Sequence, residues 1–540
     1  MIIPLKRIAR RFWLQIMSRE RAAEAKPLSF STTMRNPLRI ADFLNCIAPF
    51  EGKILTHDII MQIMKSAIKR KIYAPMYITR TPHLKAIHKD EERTFTDEQI
   101  DLIIENSPQD HKEAGFAKGW DSRFDTYFKL PKEYGYLFYE MDKPILISTT
   151  GHMMIDATNE TPVNDAKIEN VFLNSMIKYQ SNNPFRKNAN SNIPLLLLLK
   201  VIDLLKKDAD ENDAGVFRQE LSLFICWPDN DADALYKYIK EVRRRVGFDY
   251  SDEYMYSLCL ELLGTDLSKA KRFKMKQICG EAVDEYIRKM RTTGLLSLRG
   301  NGRFLDFNTL NIDKIRYVLD NYGDIKTFDS QQAYYSYCGE IDSNVISIEI
   351  SASVDLDDIR QKTLRKFATE YSKEKIEKEL ENLATKSNCT DAVLKFISQP
   401  ARLEFLTSIY LMQNFSDLQV LPNYIVDDEG LPTHTALGNV ADIVCHDKAS
   451  DSLVEVTLMC GRSDQINNEM LPITRHLSET KADSDKENVF AVFIAPIVHA
   501  DVQQYVEWVK FKDKLDILPY TITGFVDKVK TMNHQFEFAS

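Results

Sequence analysis

Apolar residues recur at helical spacing over Thr56–Lys71, where Ile59, Ile60, Ile63, Met64 and Ala67 fall on one side. Arg39–Phe50 shows a shorter helical pattern. Thr96–Asn106 starts on a Thr/Asp cap and carries Ile100, Leu102, Ile103 and Ile104. Lys129–Tyr136 then leads into YLFYE, a Met-Asp-Lys-Pro turn and ILIST. A helix followed by a two-stranded wing is the winged-helix pattern. The order recurs downstream. Lys276–Met290 is helical, TTGLLSLRGNGRFLDFN follows, and Arg299-Gly300-Asn301-Gly302 makes a tight turn between two short strands. Residues 27–160 and 161–325 therefore read as two α+β, winged-helix-like subdomains.

Asp355–Asn388 is highly charged, helical and poor in turn residues, which marks 326–395 as a helical linker. The pattern changes from about residue 396. Ala401–Asn414 is a helix with Leu403, Leu406, Ile409 and Tyr410 as its apolar stripe. Two β-branched runs, VADIVCH and LVEVTLM, flank the polar turn DKASDS within Val440–Met459, a hairpin signal. A buried strand over Val489–Ala495, an amphipathic helix over Val502–Lys512 and a last strand over Leu515–Ile522 complete the segment. The pattern predicts an α/β domain over 396–540, a mixed central sheet with helices on both faces. The most apolar run, Pro194–Leu205, is broken by Lys200 and Asp203 and reads as a buried core helix. No run reaches the roughly 18 apolar residues of a membrane span.

Composition changes this picture in one respect. The 540 residues carry a net charge of −9, with 44% apolar and 28% charged residues. Residues 1–80 nevertheless hold 15 Lys/Arg against 5 Asp/Glu, a local charge of +10 that leaves −19 for the rest. A basic end on an acidic chain suits docking of one part on nucleic acid. Part of that excess sits in a basic extension, residues 1–26. It reads either as a basic arm, a targeting peptide or a loose appendage, and it lacks the apolar core and cleavage site of a secretory signal. The eight cysteines form no CxxC and read as buried free thiols of a cytoplasmic protein.

The candidate chemistry lies in the hairpin. Asp442 falls in the first run and Glu455 in the second, thirteen positions later. Alternate strand residues share a face, so Asp442 goes with Val440 and Val444, and Glu455 with Leu453 and Thr457. Carboxylates inside runs that otherwise favour burial are costly unless paired or bound to a cation. Two of them on neighbouring strands suit a hard divalent metal. An ordinary hairpin with an exposed acidic face is the competing reading.

This spacing resembles the PD-(D/E)xK nuclease core, and the neighbours sharpen the resemblance. YIVDDEGLPTHTALGNVADIV (Tyr424–Val444), NNEMLPITRH (Asn467–His476) and VFAVFIAP (Val489–Pro496) stand in the order found in the AlwI-like type IIS restriction endonucleases and related nicking enzymes. SFSTTMRNPLRI (Ser29–Ile40), Phe50-Glu51-Gly52, RFDTYFKLPKEYGY (Arg123–Tyr136) and TGLLSLRGNGRFLDF (Thr293–Phe307) extend the likeness over most of residues 27–520. The resemblance implies a multidomain protein in which two recognition subdomains read DNA, a linker follows, and a C-terminal PD-(D/E)xK domain cuts.

It further implies Mg²⁺ held by Asp442 and Glu455, with the carbonyl of Val456 as a third oxygen donor. Thr457 stands where the general motif has lysine, a substitution the AlwI-like relatives share. Glu469 on a helix and Glu404 in the preceding helix resemble the acids that complete the cluster. Each has a plainer reading, a solvated helix position for Glu469 and a helix-dipole partner for Glu404. His434, Arg475 and His476 recur in the matched motifs, Arg475 as a phosphate clamp and the histidines as proton carriers. In the basic end Arg35, Asn36 and Arg39 are candidates for DNA contact, since arginine and asparagine read guanine and adenine. Asn36-Pro37 equally suits a helix cap. Arg123 and Lys129 are further basic candidates.

The expected activity is Mg²⁺-dependent hydrolysis of double-stranded DNA at a fixed distance from a short asymmetric site. Implied partners are a cognate DNA methyltransferase and a second copy or a small subunit for the second strand. A strand-specific nicking enzyme, or the large subunit of a heterodimer, shares every motif. A winged-helix regulator with an inactive nuclease domain is the alternative from another class.

Overall fold

The structure is a computed structural model that describes residues 24–30, 37–90, 92–160, 163–186, 188–211, 215–269, 271–348 and 355–539. Its chain forms two compact units. One comprises the described residues up to Leu84 together with those of Phe95–Ile350, the other Lys85–Thr94 and Ser351–Ser540. The described residues of 27–160, apart from Lys85–Thr94, and those of 161–325, expected as separate subdomains, lie in the first.

In that unit the helix Pro37–Ile47 is followed by His57–Lys69, whose start is fixed by Thr56 accepting from the Ile59 N–H. Ile60, Ile63, Met64, Ala67 and Ile68 form its buried stripe. Thr96 caps the helix Asp97–Glu105 through a reciprocal pair with Gln99, as the sequence predicts. The helix Trp120–Glu133 leads into strands β1 (Leu137–Phe138) and β2 (Leu146–Ile147), an antiparallel pair to which Ile54 adds a bridge at Pro144. Further on, β3 (Val216–Phe217), β4 (Leu296–Arg299) and β5 (Phe304–Phe307) form a sheet in the order β3-β5-β4. Gly300, Asn301 and Gly302 all take positive φ in the β4–β5 turn, a backbone that glycine and asparagine tolerate. Strand β3 is not foreseen by the hydrophobic pattern, since two residues leave no period. The helix Pro194–Lys207 is buried along most of its length. Among the described residues no helix is long and apolar enough to cross a membrane.

The second unit is built on a mixed five-stranded sheet. Its strands are β6 (Gln419–Pro422), β9 (Ile443–His446), β10 (Ser450–Val456), β11 (Asn488–Ala495) and β12 (Asp516–Thr521), in the order β12-β11-β10-β9-β6. Strands β10, β11 and β12 run parallel, while β9 is antiparallel to both β10 and β6. A separate hairpin pairs β7 (Tyr424–Val426) with β8 (Pro432–Ala436). On one face Leu453, Val489, Ala491 and Phe493 pack with Ile473 and Leu477 of the helix Leu471–Asp483 and with Val502, Val506 and Val509 of the helix Ala500–Asp513. The other face meets Phe538 through Phe490 and Gln535 through Ser452. Each buried Val, Leu or Phe contributes about 1.5–3 kcal/mol.

The segment expected as a linker is not an isolated arm. It forms the helices Leu356–Glu370 and Lys373–Ala384, which pack on the helix Gln399–Asn414. Phe367 meets Phe405 edge-on at 5.0 Å, and Leu364, Ile376, Leu380 and Leu383 are buried. The charges on the outer faces conceal these apolar positions as a packing face. All eight cysteines are free thiols, six of them buried.

Candidate active site

Strand β10 carries Glu455 on the same face as Leu453, so its carboxylate sits over the apolar layer beside the helix Leu471–Asp483. Antiparallel pairing sets Ile443 opposite Val454, which brings Asp442 opposite Glu455. Asp442 is not in a strand: it occupies a bend just before β9, and Val440 is exposed in the preceding turn. The bend is held from outside by Asn423, which donates its backbone N–H to the Asp442 carbonyl (2.9 Å) and its side chain to the Ala441 carbonyl (2.6 Å). The two acids then interlock. Asp442 N–H donates to Glu455 Oε2 at 3.2 Å, and Val456 N–H donates to Asp442 Oδ2 at 2.8 Å.

Two more carboxylates converge from other elements. Glu404 lies in the middle of the helix Gln399–Asn414, not in its first turn, and is buried; its Oε2 accepts from Ala436 N–H of β8 at 3.1 Å. Glu469 sits in a π-helical turn, Gln465–Met470, which runs into the helix Leu471–Asp483. Burial raises the Asp442 carboxyl well above the usual range, and the charges of Glu404, Glu455 and Glu469 push it further, against the Val456 N–H that holds it down. Burial also lifts Glu469 to about 7; its hydrogen bond with Thr457 opposes that rise and the Glu455 charge adds to it. Thr457, buried at the end of β10, accepts from Met459 N–H at 3.1 Å, which leaves its own hydroxyl proton for Glu469. Asp442, Glu455 with Thr457, Glu404 and Glu469, from four separate segments, are thus brought together.

Arg475 and His476 join the same cluster. Arg475 Nη2 donates to Asn439 Oδ1 at 3.1 Å and approaches His476 Nε2 at 3.4 Å. A guanidinium has no acceptor, so His476 Nε2 accepts and its Nδ1–H faces Glu455 Oε1, 3.2 Å away. Asn439 takes φ +76°, a conformation asparagine tolerates, and in the sequence it is only one residue of the TALGNVAD run. His434 lies on β8 with Nδ1 3.1 Å from Thr433 Oγ1. Tyr424, fully buried beside Glu404, carries no sequence signal beyond its place in an apolar run.

The remaining candidates belong to the first unit. Arg35 and Asn36 lie outside the described residues. Arg39 donates to the Ile72 carbonyl at 3.1 Å, and Arg123 Nε donates to Gln109 at 2.6 Å. Lys129 is 3.9 Å from Glu113, a loose ion pair.

The donors at Asp442 and Glu455 suit a hard cation. Among the described residues no three His, Cys, Asp or Glu side chains already form an ion-holding group. A cation that keeps several waters needs only one or two protein carboxylates, which is the habit of Mg²⁺. Buried acids that repel one another, with no lysine or arginine ion-paired to Asp442 among the described residues, fit such a cation on charge as well.

The profile of the AlwI restriction endonuclease family matches residues 133–386 and 340–527, well over half of the sequence. The opening segment Ser29–Gly52 falls outside the matched residues. None of the curated proteins matches. Among solved structures, the chain is similar to the small subunit (R.BspD6I2) of the heterodimeric restriction endonuclease R.BspD6I, at 21% identity over 29% of this chain and 77% of that one, with a TM-score of 0.25. It is also similar to restriction endonuclease FokI, at 9% identity and TM-score 0.25, and to FokI bound to DNA, at 10% and 0.22, each over 95% of this chain and 97% of the other. On the family match, the chain belongs to the AlwI restriction endonuclease family: it is a DNA-binding, site-specific endonuclease of type IIS.

Proposed function

We propose that the carboxylate cluster of the second unit is the phosphodiester-hydrolysing centre and that it works with Mg²⁺. The interlock of Asp442 with Glu455, ringed by Glu404 and Glu469, carries the reading. Asp442, Glu455 and the Val456 carbonyl would hold the ion, which supplies an acidified water and charge neutralisation at the phosphate. His476 orients the Glu455 carboxylate through Nδ1–H. Thr457 orients Glu469, which takes a proton from the attacking water at its carboxylate; a group lifted to about 7 exchanges protons readily near neutral pH. Arg475, exposed beside the cluster, steadies the phosphate. His434 remains a candidate proton carrier on β8.

The proposal extends to the architecture. The cutting part is a PD-(D/E)xK domain over about 396–540, and the helices of 355–388 brace it. Residues 27–160 and 161–325 are winged-helix-like recognition parts; the helix–hairpin order at β1–β2 and at β4–β5 supports that reading. Cutting then falls at a fixed distance from the recognition sequence. One cluster per chain, among the described residues, makes a second copy or a small subunit the source of the second strand's cut, and the same fact favours a nicking enzyme as the second reading. The cytoplasm, beside a cognate methyltransferase, is the proposed setting.

The decisive experiment is Asp442→Ala assayed for cleavage and for binding. Loss of Mg²⁺-dependent cleavage with DNA binding retained is expected; cleavage at the normal rate removes the assignment. Mapping both strands of the products separates nicking from double-strand cutting.

A further inference from the structure

Most arginines of the first unit are neutralised by an acid. Arg186 pairs with Glu133, Arg218 with Asp284, Arg243 with Glu220, Arg244 with Glu241 and Arg316 with Asp313. Arg39, Arg70 and Arg123 depart from this rule: none of them reaches ion-pair distance of an acid among the described residues. All three are at least partly open to water.

They also converge. Arg39, near the start of the helix Pro37–Ile47, stands 5.7 Å from the Phe43 ring and donates to Ile72. Phe43 stacks on Tyr127 at 5.2 Å, and Tyr127 meets Tyr73 at 4.9 Å. Arg123 lies 6.0 Å from both tyrosine rings. Arg70 follows the helix His57–Lys69 directly and precedes the Lys71–Tyr73 turn that contacts Arg39 and Arg123. Asp42, exposed at the surface, feels desolvation, which raises its carboxyl, and both Arg39 and Arg70, which lower it. Two guanidiniums against one aromatic floor and a third within electrostatic reach of Asp42, set against that one carboxylate, leave a net positive surface. Arginine is suited to phosphate, because its fork of N–H donors matches two oxygens at once. The rings hold Arg39 and Arg123 by cation–π contact, and with one N–H given to Ile72 and one to Gln109 each guanidinium keeps further donors for a ligand.

We infer that Arg39, Arg70 and Arg123 form a clamp for the DNA backbone phosphates, which fixes the duplex on the first unit without reading its sequence. The inference rests on the reading of this chain as a DNA endonuclease and adds Arg70, which no motif singles out. It also turns Arg39 from a candidate base reader into a backbone contact. Phosphate contacts set register and carry no sequence information directly.

The test uses the full-length protein in EDTA, so that nothing is cut. Anisotropy titrations compare a labelled duplex that the enzyme cleaves with a scrambled one, over a series of KCl concentrations. Alanine at position 39, 70 or 123 is expected to lower the log–log salt slope by roughly 0.9 for each phosphate that is no longer neutralised. Affinity should fall about 3–10-fold on both duplexes alike, as binding to the backbone requires. Arg39→Lys, Arg70→Lys and Arg123→Lys should keep the slope, since charge is what releases counterions. An unchanged slope in all three alanine variants overturns the clamp. So does a weakening confined to the cleavable duplex, which marks base reading, and so does an equal weakening in the lysine variants, which marks a structural role. The outcome is independent of the active-site assignment: were Asp442→Ala still to cut while Arg70→Ala showed the reduced salt slope, the clamp would stand and the carboxylate site would fall.

Discussion

In the first unit, Arg39, Arg70 and Arg123 gather at a surface that water reaches. In the second, Glu404 and Glu455 are buried, with Asp442 and Glu469 half-buried beside them. Both are clusters of like charge, but their cost differs. Two like charges 4 Å apart repel by about 1 kcal/mol in water and about 4 kcal/mol at the effective dielectric of a protein margin. The arginines therefore remain charged and wait for phosphate at little expense. The acids are costlier: desolvation and mutual repulsion raise the carboxyls of Asp442 and Glu469. An exposed cluster is a standing surface for a polyanion, whereas a buried one is a site whose charge state depends on what fills it.

The largest effect should come from emptying the buried cluster. Asp442→Ala or Glu455→Ala should slow cleavage by on the order of 100-fold or more, the scale seen when one electrostatic partner of a transition state is removed. A titration with the cognate duplex should show binding nearly unchanged. Glu469→Gln is expected to cost no more than that, about 100-fold, the low end of what a positioned proton acceptor contributes; equal, near-normal rates for the Gln and Ala variants would make it a bystander. Thr457→Ala, which takes no charge from the site, should cost less again, and Thr457→Ser should restore the rate by returning the hydroxyl.

The smallest effect is on stability and carries a definite sign. The folded state raises the carboxyls of Asp442 and Glu469 above their unfolded values. Their contribution is then fully favourable below the unfolded carboxyl range and is lost as pH rises towards about 7, where Glu469 ionises in the fold. Metal-free Asp442→Asn should thus melt higher than the wild type at pH 8, by about 2–4 °C for a domain of this size, and gain nothing near pH 4. Mg²⁺ should raise the wild-type melting temperature more at pH 8 than at pH 6, because the ligands must be deprotonated. A wild-type melting curve indifferent to Mg²⁺ at both pH values would count against the metal site.

How much of this is legible in the sequence follows from the range of each interaction. The β9–β10 hairpin is plain, because alternation and a Ser/Asp/Lys turn are local signals. So is the buried strand β11. That Asp442 sits in a bend is not, since the strand pattern runs through it and Asn423, nineteen residues earlier, makes the bend. The hydrogen bond of Glu404 with Ala436 spans 32 residues. It depends on the short β7–β8 hairpin, which leaves almost no period to read. The helices of 355–388 are legible as helices, yet their charges conceal Leu364, Phe367 and Ile376 as a packing face. Arg70 carries no signal at all, because only the fold brings it beside Arg39.

The parallel run β10-β11-β12 has a consequence for how the protein comes into being. Its strands pair across long connections, and β12 ends only at Thr521. Pairings of that range form slowly, since distant segments must meet before any contact rewards them. On the ribosome, domains fold as they emerge, the N-terminal one first. The carboxylates come from four separate segments, and β10 lacks its neighbour until residues 488–495 have been made. The carboxylate cluster therefore takes its shape only after β11, the neighbour of β10, has been made, and the segments that carry Glu404, Asp442 and Glu455 wait for it.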